Sequence, residues 1–148
     1  MSELDKKDLF ISYEWGSKEI VSQIANSLEE IYKYKVWIDR NQIFPGLNLH
    51  ENIQKGINNS EIILAFVTKR YCESQNCQLE IQYANRIKKK IIYIVLEKLK
   101  VDELPNGMGV LLAENLCFNV YSEPWTHRML DELDNSIISI KNKKHGFV

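Results

Sequence analysis

The chain has 148 residues, 45% hydrophobic and 26% charged, with 19 lysines and arginines against 20 aspartates and glutamates. That size and balance fit one domain spanning 1–148 rather than two, and a formal charge of −1 excludes a general nucleic-acid binder, which carries a clear basic excess. The apolar runs 62–67 and 91–96 fall far short of the roughly 20 residues of a membrane span, so no bilayer crossing is expected.

The first residues, Met1 to Lys7, show no apolar stretch behind a basic start, so no secretory leader is expected. Cys72, Cys77 and Cys117 form neither an even-numbered framework nor a zinc spacing, and His50, His127 and His145 are scattered. Reduced thiols, a cytoplasmic address and no metal follow as expectations.

In chain order, residues 9–12 open as a short apolar run, the first of five; the others are 35–39, 62–67, 91–96 and 116–120. Each is rich in residues that suit a pleated surface and too short for a helix, so all five are predicted strands. After the first strand, Ile20, Val21, Ile24, Ala25, Leu28 and Ile31 repeat with helical period, with Ser17 placed as an N-cap. Leu49, Ile53 and Ile57 predict a shorter helix. A third spans 75–87 with Leu79, Tyr83, Ala84 and Ile87 inward, ending in Lys88, Lys89 and Lys90, which suit a helix C-terminus. Residues 99–115, with Pro105, Gly107 and Gly109, give no clear period. A last helix carries Met129, Leu130, Leu133, Ile137 and Ile140 behind Ser122 and Pro124 as start signals.

Strands without polar alternation, separated by helices, imply a parallel sheet covered on both faces. The predicted fold is α/β: a flavodoxin-like, doubly wound five-stranded parallel sheet in order 2-1-3-4-5, whose ligand crevice opens at the C-terminal ends of strands 1 and 3. Residues 12–17, 68–77 and the loop 39–48 stand at that edge. The exit of strand 1, Ser12-Tyr13-Glu14-Trp15-Gly16, has no glycine-rich phosphate loop, and only Asp39 ends a strand as an acid. Dinucleotide-fingerprint, P-loop and phospho-acceptor sites are thereby excluded.

Four segments in order carry a resemblance. They are Asp8-Leu9-Phe10-Ile11-Ser12-Tyr13; Val36-Trp37-Ile38-Asp39 leading to Gly46; Gly56-Ile57 with Ser60-Glu61-Ile62; and Ser74 through Cys77-Gln78-Leu79-Glu80 to Ala84. Over roughly residues 8–140 the chain resembles the Toll/interleukin-receptor (TIR) domain family. The resemblance implies one of two functions. Some members cleave the nicotinamide N-glycosidic bond of NAD; others are non-catalytic scaffolds acting by homotypic association, and both belong to innate immune or cell-death signalling. Enzymatic members carry a glutamate on the third helix, in a motif ending Cys-x-x-Glu or Trp-x-x-x-Glu, and Glu80 stands there. NAD is then a substrate, and no cofactor is implied.

Within that reading Phe10, Ser12, Tyr13, Trp15, Trp37, Asp39, Asn76 and Cys77 are the candidate substrate-binding residues. Tyr13 and Trp37 are candidates to stack on the nicotinamide or adenine ring, and packing at strand ends is the competing reading of both. Trp15, in a polar loop, is a candidate for base stacking or association. Glu14 departs from the basic or small residue of many members, and Asn76 stands where many catalytic ones have Trp. The loop with Arg40, Ile43, Phe44, Pro45 and Gly46 is implied to pack on a neighbouring TIR domain, giving head-to-tail self-association.

One carboxylate suffices for the implied chemistry. Nicotinamide departs from a pyridinium as a neutral molecule, so no general acid is needed, unlike the oxygen leaving group of ordinary glycosides. A carboxylate about 4 Å from the ribosyl oxocarbenium ion stabilises it by at most roughly 4 kcal/mol at an effective dielectric of about 20, before screening and before its ground-state attraction to the pyridinium is subtracted. That upper figure is near a thousandfold in rate, and positioning must supply much of the remainder.

Overall fold

The computed structural model describes residues 6–38, 46, 48–121 and 126–144, the last without its side chain. Strands β1 (Lys7–Tyr13), β2 (Val36–Trp37), β3 (Ser60–Val67), β4 (Lys90–Val95) and β5 (Cys117–Asn119) form one sheet in the order β2-β1-β3-β4-β5. All pairings are parallel, with Leu9 opposite Val36 and Ile62, Ile63 opposite Ile91, and Ile94 opposite Phe118. The predicted fold and strand order are therefore observed. The helices are α1 (Lys18–Glu30), α2 (Leu49–Asn58), α3 (Lys69–Glu73), α4 (Gln75–Arg86), α5 (Met108–Glu114) and α6 (His127–Lys144). None of them, among the described residues, is long and apolar enough to cross a membrane.

The two-residue period of the strands divides the core into two layers. Leu9, Ile11 and Tyr13 of β1, with Ile62, Leu64 and Phe66 of β3, pack under Val21, Ile24, Ala25 and Leu28 of α1 and Leu130, Leu133 and Ile137 of α6. Phe10 of β1, Trp37 of β2 and Ile63, Ala65 and Val67 of β3 face the other way, against Ile57 of α2, Tyr71 of α3, Cys77, Ile81 and Ala84 of α4 and Met108 of α5. Each fully buried aliphatic or Phe side chain contributes about 1.5–3 kcal/mol. A one-residue slip of β1 would put Ser12 in the first layer and exchange the two sets.

Several local expectations are corrected. Ile20, Ile31 and Leu49 are exposed, so the stripes of α1 and α2 are narrower than predicted. On α4 only Ala84 of the four predicted inward residues is buried; Cys77, Gln78 and Ile81 complete the inner face. The prediction was misled by two features: Gln78 is polar yet buried, and Tyr83 is half-buried while its hydroxyl donates to Asn58 Oδ1 at 2.6 Å. Ser17 occupies the N-cap of α1 without a side-chain capping bond, because Glu14 caps a 3-10 turn at Trp15–Ser17 instead, its Oε2 accepting from Gly16 N–H at 2.8 Å. Thr126 caps α6 through Met129 N–H at 3.4 Å, and Ser122 and Pro124 lie outside the described residues. The unassigned stretch holds a 3-10 turn at Val101–Glu103 and then α5.

Long-range polar bonds fasten α6 to the rest. Lys141 Nζ donates to Asp8 Oδ1 at 2.6 Å and lies 3.4 Å from Glu61 Oε2, so it joins α6 to β1 and β3. Burial works against its charge, but Asp8 and then Glu61 outweigh that and raise its pKa. Tyr32 and Tyr34, in the turn after α1, donate to Asp131 and Asp134.

Candidate active site

A crevice of about 490 Å³ opens at the C-terminal ends of β1 and β2, within the range of about 300–1,000 Å³ typical of small-molecule sites. The expected position at the ends of strands 1 and 3 is corrected in part: β1 and the segment 74–77 that follows β3 line the crevice, but its second strand is β2 and no residue of β3 lines it. Phe10 and Trp37 pack with ring centroids 6.4 Å apart and planes 15° from parallel. Leu49, Asn52 and Ile53 of α2 form one wall, and Ser74, Asn76, Cys77 and Glu80 the other. Tyr13, Glu14 and Trp15 line the side where β1 ends.

Two side-chain caps shape the second wall. Thr68 Oγ1 accepts from Tyr71 N–H at 3.0 Å and starts α3; Ser74 Oγ accepts from Cys77 N–H at 3.3 Å and starts α4. The chain turns between these two helices. The first cap helps send Tyr71 into the core, and the second sets α4 with its opening residues on the crevice and Glu80 in its second turn. Glu80 is half-buried. Ser12 Oγ donates to Glu80 Oε1 at 2.7 Å and lies 2.6 Å from Tyr71 Oη. Ser12 and Tyr71 are both fully buried. Burial is the main force raising the Tyr71 phenol well above an ordinary tyrosine, and the Cys77 and Glu80 groups add to it.

Of the sequence-predicted residues, Phe10, Tyr13, Trp15, Trp37, Asn76, Cys77 and Glu80 line one crevice, and Ser12 touches it through Glu80. Their exposures differ. Trp37 is 3% and Tyr13 6% exposed, so both rings pack into the core even though they bound the crevice. Trp15 is 62% exposed, with Lys18 Nζ 4.8 Å above its ring. Gly46 is exposed with φ +85°, the left-handed backbone that favours glycine. Asp39, Arg40, Ile43, Phe44 and Pro45 lie outside the described residues.

Sequence reasoning missed Tyr71 and the wall from α2. The spacing Thr68 to Tyr71, followed by Ser74 to Cys77, is a pair of consecutive capping signals and could have revealed α3. Among the described residues that line the crevice, Glu14 and Glu80 are the charged ones and both are acidic. These two side chains favour a cationic group over an anionic one, while Arg70 beside Glu14 and Lys18 over Trp15 place positive charge towards the outside.

Residues 9–133 match the family model described as TIR domain. A 109-residue stretch is 32% identical to mouse Toll-like receptor 13, covering 67% of this chain and 10% of that receptor's length. Among solved structures, the TIR domain of the Toll-related receptor TRR-2 from Hydra magnipapillata superposes with a TM-score of 0.71 at 19% identity, over 93% of this chain and all of that one. A metazoan TIR-STING receptor from C. gigas gives 0.65 at 17% identity, over 93% of this chain and 42% of that one. The TIR domains of the activated Roq1 resistosome, which directly recognizes the pathogen effector XopQ, give 0.56 at 17% identity, over 74% and 70%.

Proposed function

The chain belongs to the TIR domain family, and from that premise and the geometry of its crevice we propose that it is an NAD glycohydrolase acting in innate immune or cell-death signalling. The observation that carries this reading is the Glu80 carboxylate, held by Ser12 at 2.7 Å on the wall of an acidic, largely apolar crevice. The nicotinamide end of NAD is a cation, which suits that acidic lining. Its diphosphate is an anion and is best left towards the mouth, where Trp15 offers an aromatic face to a base.

In the proposed reaction the bond between ribose C1′ and the pyridinium nitrogen breaks with its electron pair going to nitrogen, so nicotinamide leaves neutral. Glu80 faces the positive charge that develops on the ribosyl carbon and accepts hydrogen bonds from the sugar hydroxyls, which fixes the ring. Water adding to C1′ and losing a proton gives ADP-ribose; attack by an adenine nitrogen gives a cyclic ADP-ribose. The buried walls limit how much water screens the carboxylate.

The free thiols of Cys72, Cys77 and Cys117 suit a cytoplasmic site of action. Self-association through the loop 39–48 is part of the proposal, with a neighbouring domain completing the site.

The identity to part of a receptor favours a second reading, a non-catalytic module that recruits other TIR domains. Incubating purified protein with NAD and following free nicotinamide separates the two. The expected result is release that falls at least a hundredfold in Glu80→Gln, with specific activity rising as protein concentration rises. Release that survives the substitution removes Glu80 from its role, and none at any concentration leaves the recruiting module.

A further inference from the structure

Ser12 bridges two groups that are remote in sequence, and proton counting sets the direction of both bonds. A carboxylate only accepts, so the single hydroxyl proton of Ser12 goes to Glu80 at 2.7 Å. Ser12 is left with lone pairs to offer, so across 2.6 Å the Tyr71 phenol is the donor. We infer that Tyr71 and Ser12 form a two-bond donor relay that positions the Glu80 carboxylate and favours its ionised form, with Tyr71 acting through Ser12 as a positioning residue; the functional meaning rests on the NAD-cleaving role proposed for Glu80.

The environment shows why such a relay is needed. Among the described residues that line the crevice or bond to Ser12, those that carry charge or titrate are Glu14 from the turn after β1, Tyr13 at the end of β1, Tyr71 from α3 and Cys77 from α4 itself, with Arg70 of α3 beside Gly16 and Glu14; the lining residues of α2 are uncharged. The apolar walls of the crevice disfavour any charge held beside them. Hydrogen bonds donated to the carboxylate oppose that effect. Tyr71 is fully buried, and burial keeps its proton in place, so the donor end of the relay does not switch off in the physiological range. Donation into Ser12 also polarises its hydroxyl and strengthens the bond it makes to Glu80.

The test is a carboxyl-carbon NMR titration of Glu80 in the full chain, in the wild type, Ser12→Ala and Tyr71→Phe. The relay requires the Glu80 midpoint to rise by about one pH unit in Ser12→Ala, about tenfold in proton affinity. In Tyr71→Phe it rises less, because Ser12 still donates but is no longer polarised. In NAD kinetics the acid limb of the pH profile moves with the midpoint, and kcat falls while KM stays within about twofold. A midpoint unchanged in both variants overturns the relay, because a merely structural pair of hydroxyls would not move it. Should Ser12→Ala fail to fold, Tyr71→Phe decides alone, since it removes one oxygen and no volume. A wild type that releases no nicotinamide ends the NAD-cleaving reading, while the titration still decides whether the relay holds Glu80.

Discussion

A Cβ placed on Gly56 would lie 2.6 Å from Trp37 Cε2 and 2.7 Å from Phe10 Cε2. The backbone of α2 thus rests directly on the two rings packed at the crevice, and both rings are 3% exposed with little room to yield. Replacing a helical glycine by alanine ordinarily gains about 1 kcal/mol, but overpacking a close-packed contact costs about 1–3 kcal/mol or more. Contact with two rings at once makes the second effect larger. Gly56→Ala is expected to lose about 1–2 kcal/mol, seen as a lower urea midpoint with an unchanged slope. A midpoint at or above that of the wild type would show that α2 can lift off the rings without cost.

Trp15 differs from Trp37 in what holds it. With 62% of its surface exposed and one cation over its face, it contributes little to folding. Trp15→Ala is expected to change stability by less than about 1 kcal/mol. If its ring stacks on a base of NAD, worth roughly 1–3 kcal/mol by alanine substitution, KM for NAD rises about tenfold. Equal KM values in the two proteins would remove Trp15 from the substrate site and leave association as its role.

Stability should fall in alkali, and the tyrosines set the window. Burial raises Tyr93 to about 12 and Tyr71 well above the ordinary value; burial and the bond to Asp134 raise Tyr34, and the bond to Asp131 raises Tyr32 to about 12. Each group binds its proton more tightly folded than unfolded. Its contribution is therefore complete below about pH 10, the unfolded value, and is lost as pH rises through the folded value. Above about pH 10 the slope is roughly 1.4 kcal/mol per pH unit for a buried tyrosine such as Tyr93. Urea unfolding at a series of pH values from 9 to about 12 measures this, and a flat profile across that window would contradict the burial of the phenols.

The sheet was legible because its cause is local. A strand covered on both faces needs apolar residues at every position, so the runs containing Leu64 and Ile92 stand out without knowledge of their neighbours. The crevice was legible in part: strand order pointed to the C-terminal edge at β1, but the strand that joins β1 there is β2 through Trp37, not β3. The face of α4 was less so: the buried Gln78 reads as polar, and the half-buried Tyr83 reads as core. Tyr71 was invisible as part of the site, because a tyrosine two residues into a five-residue helix has no periodic signature.

What the chain determined by itself was the kind of most of its elements, the five strands and the longer helices, and the place of an acidic residue near the start of a helix. Those are consequences of side-chain size, branching and period, which act between residues a few positions apart. Only the tertiary structure decided what that acid touches. Ser12 and Glu80 are 68 positions apart, and Ser12 and Tyr71 are 59. Hydrogen bonds at such separations exist because pairing of β1 with β3 and docking of α3 and α4 on the sheet bring distant atoms within 3 Å. No pattern along the chain specifies that distance; close packing of the core does.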